Sequence, residues 1–120
     1  MDRKLKSMLS LCRKAGYLAA GSEACVKVMR SGEAKLLLIC GDASDGTKKM
    51  LLQKAFHYKT PYISVCTISE LDSATGCGNR AAAAVTDGGF ADRIAEAVKS
   101  YENNDINLSG KNPEVDLIHA

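Results

Sequence analysis

Gly21-Ser22-Glu23-Ala24-Cys25-Val26-Lys27 reads as a turn that becomes a helix. Glycine takes up the backbone angles of a sharp turn at low steric cost. Ser22 stands where it would cap the helix that follows. Such a helix offers its first free N–H groups, and the positive end of its dipole, to an anion. Lys27 lies further along it, and Arg13 and Lys14 close the preceding helical stretch. Free N–H groups beside basic side chains are the chemistry of phosphate contact, and so of nucleic acid. An ordinary capped surface helix has the same signature, and the stretch alone leaves both readings open.

Other candidate chemistry is weaker. Asp42-Ala43-Ser44-Asp45-Gly46-Thr47 follows an apolar run and is similar to the D-x-D-G-T start of haloacid-dehalogenase-type phosphatases. There the first Asp is the nucleophile and the second the acid/base. Here Asp45 stands three positions after Asp42 instead of two, and a capped helix start accounts for Ser44 and Asp45. No G-x-x-x-x-G-K-[ST] loop and no G-x-G-x-x-G occurs. Cys12, Cys25, Cys40, Cys66 and Cys77 form no C-x-x-C pair, and most sit inside apolar patterns as small hydrophobes. This usage predicts a reducing compartment and no disulfide scaffold. Cys77 is the exception, a thiol in a glycine-flanked loop. With His57 and His119 the only histidines, neither a metal site nor a cofactor is expected.

These residues need a scaffold, and 120 residues allow one core. The formal net charge of +2 hides an asymmetry: residues 1–59 hold 12 Lys/Arg against 5 Asp/Glu, and residues 60–120 hold 4 against 9. Basic charge gathered in the first half suits a polyanion partner, although solvated helix faces would look the same. The charged N-terminus shows no signal-peptide pattern, and no apolar run is long enough to span a bilayer. A cytoplasmic protein with no membrane contact is expected.

Leu5, Met8, Leu9 and Cys12 follow helical spacing over residues 3–14, and Gly16 stops that helix. Residues 17–20 are short and extended, as in an edge strand. Cys25, Val28 and Met29 give the helix from Ser22 to Ser31 its buried stripe, with Lys27 and Arg30 on a polar face. Leu36 to Cys40 is apolar without alternation, which predicts a strand buried on both faces of a parallel sheet. A third helix is expected over 46–58, with Leu51, Ala55 and Tyr58 on one face and Leu52 and Phe56 adjoining. A second strand follows over Tyr62 to Cys66.

Thr67-Ile68-Ser69-Glu70 matches a capping box for a short fourth helix ending at Gly76. A further strand spans Ala81 to Val85. Asp87 caps a fifth helix with an apolar stripe of Phe90, Ile94, Ala97 and Tyr101. The alternation predicts an α/β fold, a three-layer α/β/α sandwich over residues 1–102. The loops after the strand carboxyl ends, Gly41 to Asp45, Thr67 to Ser69 and Thr86 to Gly89, are candidate ligand positions. Residues 103–120 lose all periodicity and read as a disordered tail.

Taken in order, Leu11-Cys12-Arg13-Lys14-Ala15-Gly16, Gly21-Ser22-Glu23, Ser31-Gly32-Glu33-Ala34-Lys35-Leu36, Asp42-Ala43-Ser44, Pro61, the Gly76 loop and Ala81 to Asp87 carry a resemblance. The chain resembles the ribosomal protein L7Ae superfamily, the kink-turn RNA-binding ribosomal proteins and their small bacterial relatives, and most of all the YlxQ-like branch. The resemblance covers residues 3–100 and implies a small mixed sheet. It also implies RNA binding through the start of the second helix and the loop before the last strand. In RNA-binding members a Gly-Thr/Ser-Asn-Glu turn meets tandem sheared G·A pairs, a helix lysine follows, and the late loop covers a flipped-out nucleotide. Gly21, Ser22 and Lys27 match that pattern. Glu23 replaces the Asn and Ala24 the Glu, and Gly78-Asn79-Arg80 departs from the family's apolar-acidic-apolar loop.

The expected RNA-binding residues are therefore Arg13, Lys14, Gly21, Ser22, Glu23, Lys27, Arg30, Lys35, Cys77, Gly78, Asn79, Arg80 and Ala81. The expected activity is non-catalytic binding of structured RNA, kink-turn-like or other, by a monomer. Ribosomal RNA and ribosomal or RNA-processing proteins are the natural partners of such a chain. The alternative is a protein-interaction module on the same fold that has lost kink-turn recognition.

Overall fold

The computed structural model describes residues 3–98 and the backbone of Asp105–Asn107. Helix α1 (Arg3–Lys14) leads into β1 (Leu18–Ala20), α2 (Ser22–Arg30) and β2 (Leu36–Cys40). Then follow α3 (Asp45–His57), β3 (Tyr62–Cys66), α4 (Ile68–Thr75), β4 (Ala82–Val85), α5 (Gly88–Val98) and β5 (Asp105–Asn107). The expected tail contributes β5, and the rest of residues 103–120 lies outside the described residues, as does Tyr101.

The strands form one sheet in the order β1-β4-β2-β3-β5. The parallel sheet expected from the apolar run is a mixed one. β2 pairs parallel with β3 but antiparallel with β4, which is also antiparallel to the edge strand β1. The run is unbroken because β2 is central and covered on both faces, a property of its place in the sheet and not of strand direction. Leu36, Leu38 and Cys40 face the layer of α1, α4 and α5, where Leu5, Leu9, Leu71 and Ile94 meet them. Leu37 and Ile39 face α2 and α3, beside Cys25, Met29, Leu51 and Ala55. The two cores give the three-layer α/β/α arrangement.

β4 shows what its alanines permit. Ala82 and Ala84 lie under the α2 and α3 layer, and Ala83 and Val85 under the other. All four are fully buried. Small side chains let a helix settle close to the strand, and α2 does so through Cys25 and Met29. On α3, Leu51, Leu52 and Ala55 are buried as the pattern predicts, but Phe56 is exposed. It sits one position beyond the stripe, on the turn of helix that faces water.

Antiparallel β4 also divides the candidate loops between the two ends of the sheet. The amide of Cys40 donates to the Ala81 carbonyl and the amide of Gly41 to the Cys66 carbonyl, so the ends of β2 and β3 lie beside the start of β4. Thr86 donates to the Tyr17 carbonyl at the far end. The loop from Thr86 to Gly89 therefore does not join the loops that follow Cys40 and Cys66.

Candidate nucleic-acid interface

The start of α2 is built by Gly21. Its φ of 100° lies where side chains are strained, so glycine fits the turn that ends β1. The Gly21 amide donates to the Ala82 carbonyl at 2.8 Å, and the Gly21 carbonyl accepts from the Cys25 amide at 2.9 Å. Gly21 is thus the cap position, and Ser22 is the first helical residue instead of the expected cap. Among the described residues, no side chain caps this helix. Serine cannot cap from inside the first turn, because a cap needs extended backbone angles. The first N–H groups of α2 are left to solvent or to a ligand.

The loop between α4 and β4 comes to the same place. It leaves α4 at Gly76, which ends the helix with φ 69°. Gly78 follows at φ 84°, and its amide donates to Asp72 Oδ1 at 2.8 Å. Arg80 then folds back: its amide donates to the Gly78 carbonyl at 2.9 Å, and its Nε to the Cys77 carbonyl at 3.3 Å. The guanidinium lies against Gly21. A β-carbon at Gly21 would meet Arg80 Cδ at 3.6 Å and Nη1 at 3.7 Å. An exposed cation thus stands at the open helix start. Asn79 is exposed, while Cys77 and Ala81 are partly buried.

Beneath the loop, the Cys40 and Cys66 sulfurs approach to 4.0 Å, and Cys40 Sγ also lies 3.6 Å from the Arg80 carbonyl. The hydrogen bond between these two free thiols, followed by burial, pushes the Cys40 thiol up, and the same hydrogen bond lowers Cys66. The Cys40 thiol donates to the Arg80 carbonyl beneath the loop.

The other expected residues divide. Lys27 and Arg30 are exposed on α2, one turn apart. With Ser22 and Glu23 they line a groove of about 340 Å³ against Met50 and Lys54 of α3. Arg30 Nε donates to the Tyr58 hydroxyl at 3.4 Å. Arg13 reaches the base of the late loop, its Nη1 donating to the Thr75 carbonyl at 2.6 Å. Lys14 is exposed on the last turn of α1.

Lys35 does not join them. Its amide donates to the Val85 carbonyl at the far end of β4, about 10 Å of strand from the Ala82 carbonyl that holds Gly21. Lys35 was expected in the groove, and the direction of β4 holds its backbone at the other end of the sheet. Lys54 and Met50 of α3 border the groove beside this site, and nothing in the α3 pattern shows which neighbour its polar face meets.

Asp42 has a structural occupation. Its Oδ1 accepts from the Ile68 amide at 2.8 Å and so serves the start of α4, not a phosphate. Ser44 Oγ accepts from the Thr47 amide, as a cap.

Fold and geometry together define a class: a three-layer α/β/α domain with an open helix start set beside an arginine-bearing loop. The model of the ribosomal protein L7Ae/L30e/S12e/Gadd45 family matches residues 3–95, and the chain belongs to that family. It is 36% identical over 87 residues to RNA-binding protein YlxQ of Bacillus subtilis, covering 72% of this chain and 87% of that protein. RNA-binding protein YlxQ of Enterococcus faecium is 28% identical over 97 residues, covering 81% of this chain and 93% of that protein. Among solved structures, a protein of unknown function from Bacillus halodurans C aligns with a TM-score of 0.77 at 33% identity, covering 82% of this chain and 99% of that one. A 15.5kD RNA binding protein of Giardia lamblia has a TM-score of 0.66 at 19% identity, covering 82% and 85%, and shares the fold. No described helix is long and apolar enough to cross a membrane.

Proposed function

We propose that this chain is a non-catalytic, cytoplasmic protein that binds structured RNA through the start of α2 and the 77–81 loop. The observation that carries this is the α2 terminus without a side-chain cap, with the Arg80 guanidinium laid against Gly21. Unused N–H donors and a cation at one point suit a phosphate, and phosphate contacts position a nucleic acid. The family, and relatives named as RNA-binding proteins, supply the same reading. Four buried free cysteines suit a reducing compartment.

Kink-turn recognition is the finer reading. Gly21, Ser22 and Lys27 favour it. Glu23 and Ala24 weaken it, because an ionised Glu only accepts hydrogen bonds and Ala offers none to a base edge. Each lost base-edge contact removes about 1–3 kcal/mol of discrimination. Binding should therefore lean on phosphates, with Arg80 supplying charge or stacking on an unpaired base.

A titration tests this. A kink-turn RNA is compared with the same RNA carrying disrupted G·A pairs, at two salt concentrations. Strongly salt-dependent binding to both, with a modest preference for the intact kink-turn, is expected. Lys27→Ala should weaken binding to both and flatten the salt slope. Glu23→Asn with Ala24→Glu should raise the preference for intact G·A pairs. Absence of binding to either RNA would overturn the proposal in favour of a protein-interaction module.

A further inference from the structure

The groove between α2 and α3 extends beyond the open helix start. Val26 and Met50 are partly buried and pack on the core, which gives the groove an apolar base. Among the described residues that line it, Lys27, Arg30 and Lys54 supply three cations and Glu23 one carboxylate. Its volume of about 340 Å³ falls at the lower end for small-ligand clefts. Ser22 and Glu23 belong both to this groove and to the first turn of α2. A strand leaving the helix start on this side therefore enters the groove.

We infer that this groove takes an unpaired RNA strand that flanks the structured element bound at the α2 terminus. The inference rests on the proposed RNA-binding function and adds a second contact to it. An apolar base beneath cations matches a nucleotide, whose base is flat and apolar on its faces and whose phosphate is anionic. Continuity with the α2 terminus favours RNA over an acidic peptide, since a strand held there is delivered to the groove. Lys27 stands between the two contacts. Arg30 and Lys54 extend the cationic track one turn further along α2 and across to α3.

The test uses the full chain and a structured RNA with and without a six-uridine single-stranded extension on one strand. The extension is placed at each end of that strand in turn. Lys54 lies in the groove on the last turn of α3, the end that meets the far end of α2 through the Arg30–Tyr58 hydrogen bond, so its replacement separates the two contacts. For the wild type, the extension at one end should tighten binding about fivefold at 0.1 M salt, the effect of one added phosphate contact on a single strand. Lys54→Gln should lose most of that gain and Lys54→Glu all of it, while both bind the unextended RNA as the wild type does. Thermal melting of the variants checks that they fold.

A full gain in Lys54→Glu, or no gain in the wild type at either end, overturns the inference while leaving the α2 site standing. Failure of the wild type to bind even the unextended RNA removes the functional reading and this inference with it. Lys54-dependent binding of a hexaglutamate peptide without any extension effect reassigns the groove to an acidic protein partner.

Discussion

Helices α2 and α4 start at the same end of the sheet and start differently. At α4, Thr67 Oγ1 accepts from the Glu70 amide at 3.1 Å, and Glu70 Oε1 accepts from the Thr67 amide at 2.9 Å. Asp42 takes the Ile68 amide as well. Helices α3 and α5 are capped in the same spirit by Ser44 and by Asp87, whose Oδ2 accepts from the Phe90 amide at 2.9 Å. At α2 the cap position is Gly21, which has no side chain to give. The difference separates two uses of one piece of backbone chemistry. Free N–H groups at α4 are satisfied from within and hold the fold together. Those at α2 are available, and a cation stands beside them. Substitutions at the two ends should accordingly be felt in different measurements.

The largest effect is expected from Gly21→Ala. A β-carbon at φ 100° and ψ 153° is strained, at a cost of about 1–3 kcal/mol. Urea unfolding should show that loss, and RNA affinity should fall about tenfold or more as the turn shifts under Arg80. Full stability with unchanged affinity would show that the open start does not depend on a glycine at position 21. Thr67→Ala should remove about 1 kcal/mol of stability by dismantling the capping box. Its melting temperature should drop by about 4–8 °C with RNA affinity untouched. A loss of RNA affinity there would erase the distinction between the two helix starts.

Arg80→Ala should do the reverse. An exposed side chain contributes little to folding, within about 0.5 kcal/mol, but the slope of log affinity against log salt should shrink by about 0.7–0.9. An unchanged slope would take Arg80 out of the interface.

The last effect concerns the thiols and is read from pH, not from a substitution. Burial, with a lesser contribution from Asp87, pushes Cys12 up to about 11, and burial pushes Cys25 up to about 12. The folded chain holds protons there that the unfolded chain releases near pH 9. Stability from these groups is therefore full below about pH 8.5 and declines as pH rises toward 11 and 12. Unfolding midpoints measured from pH 8 to 10.5 should show the decline. Native alkylation at neutral pH should modify the partly exposed Cys77 first, and bound RNA should slow it.

Much of the scaffold was legible because its signals are local. The capping box at Thr67, the Asp87 cap, the stops at Gly16 and Gly76 and the buried stripes depend on residues within a turn of one another. The error at α2 was also local in kind: Ser22 is a good cap by type, but the glycine before it takes the cap position, and type alone does not say which of two neighbours does so. The site was legible only in part. Gly21 and Lys27 could be picked out by position in a pattern, and Arg80 by the loop it sits in. The groove that Lys54 and Met50 border had no such signal, because it exists only where α3 faces α2.

The amino-acid sequence by itself determined the order of helices and strands, the caps, the residues that must be buried and the departures at Glu23 and Ala24. The pairing of strands was decided in the folded chain. β4 enters between β1 and β2, antiparallel to both, and that single choice sets Arg80 against Gly21 and carries Lys35 to the opposite end of the sheet. Strand partners are distant in sequence, and their direction and register follow from which buried faces fit together over the whole sheet. No window of local residues holds that information, and the candidate interface exists only once it is settled.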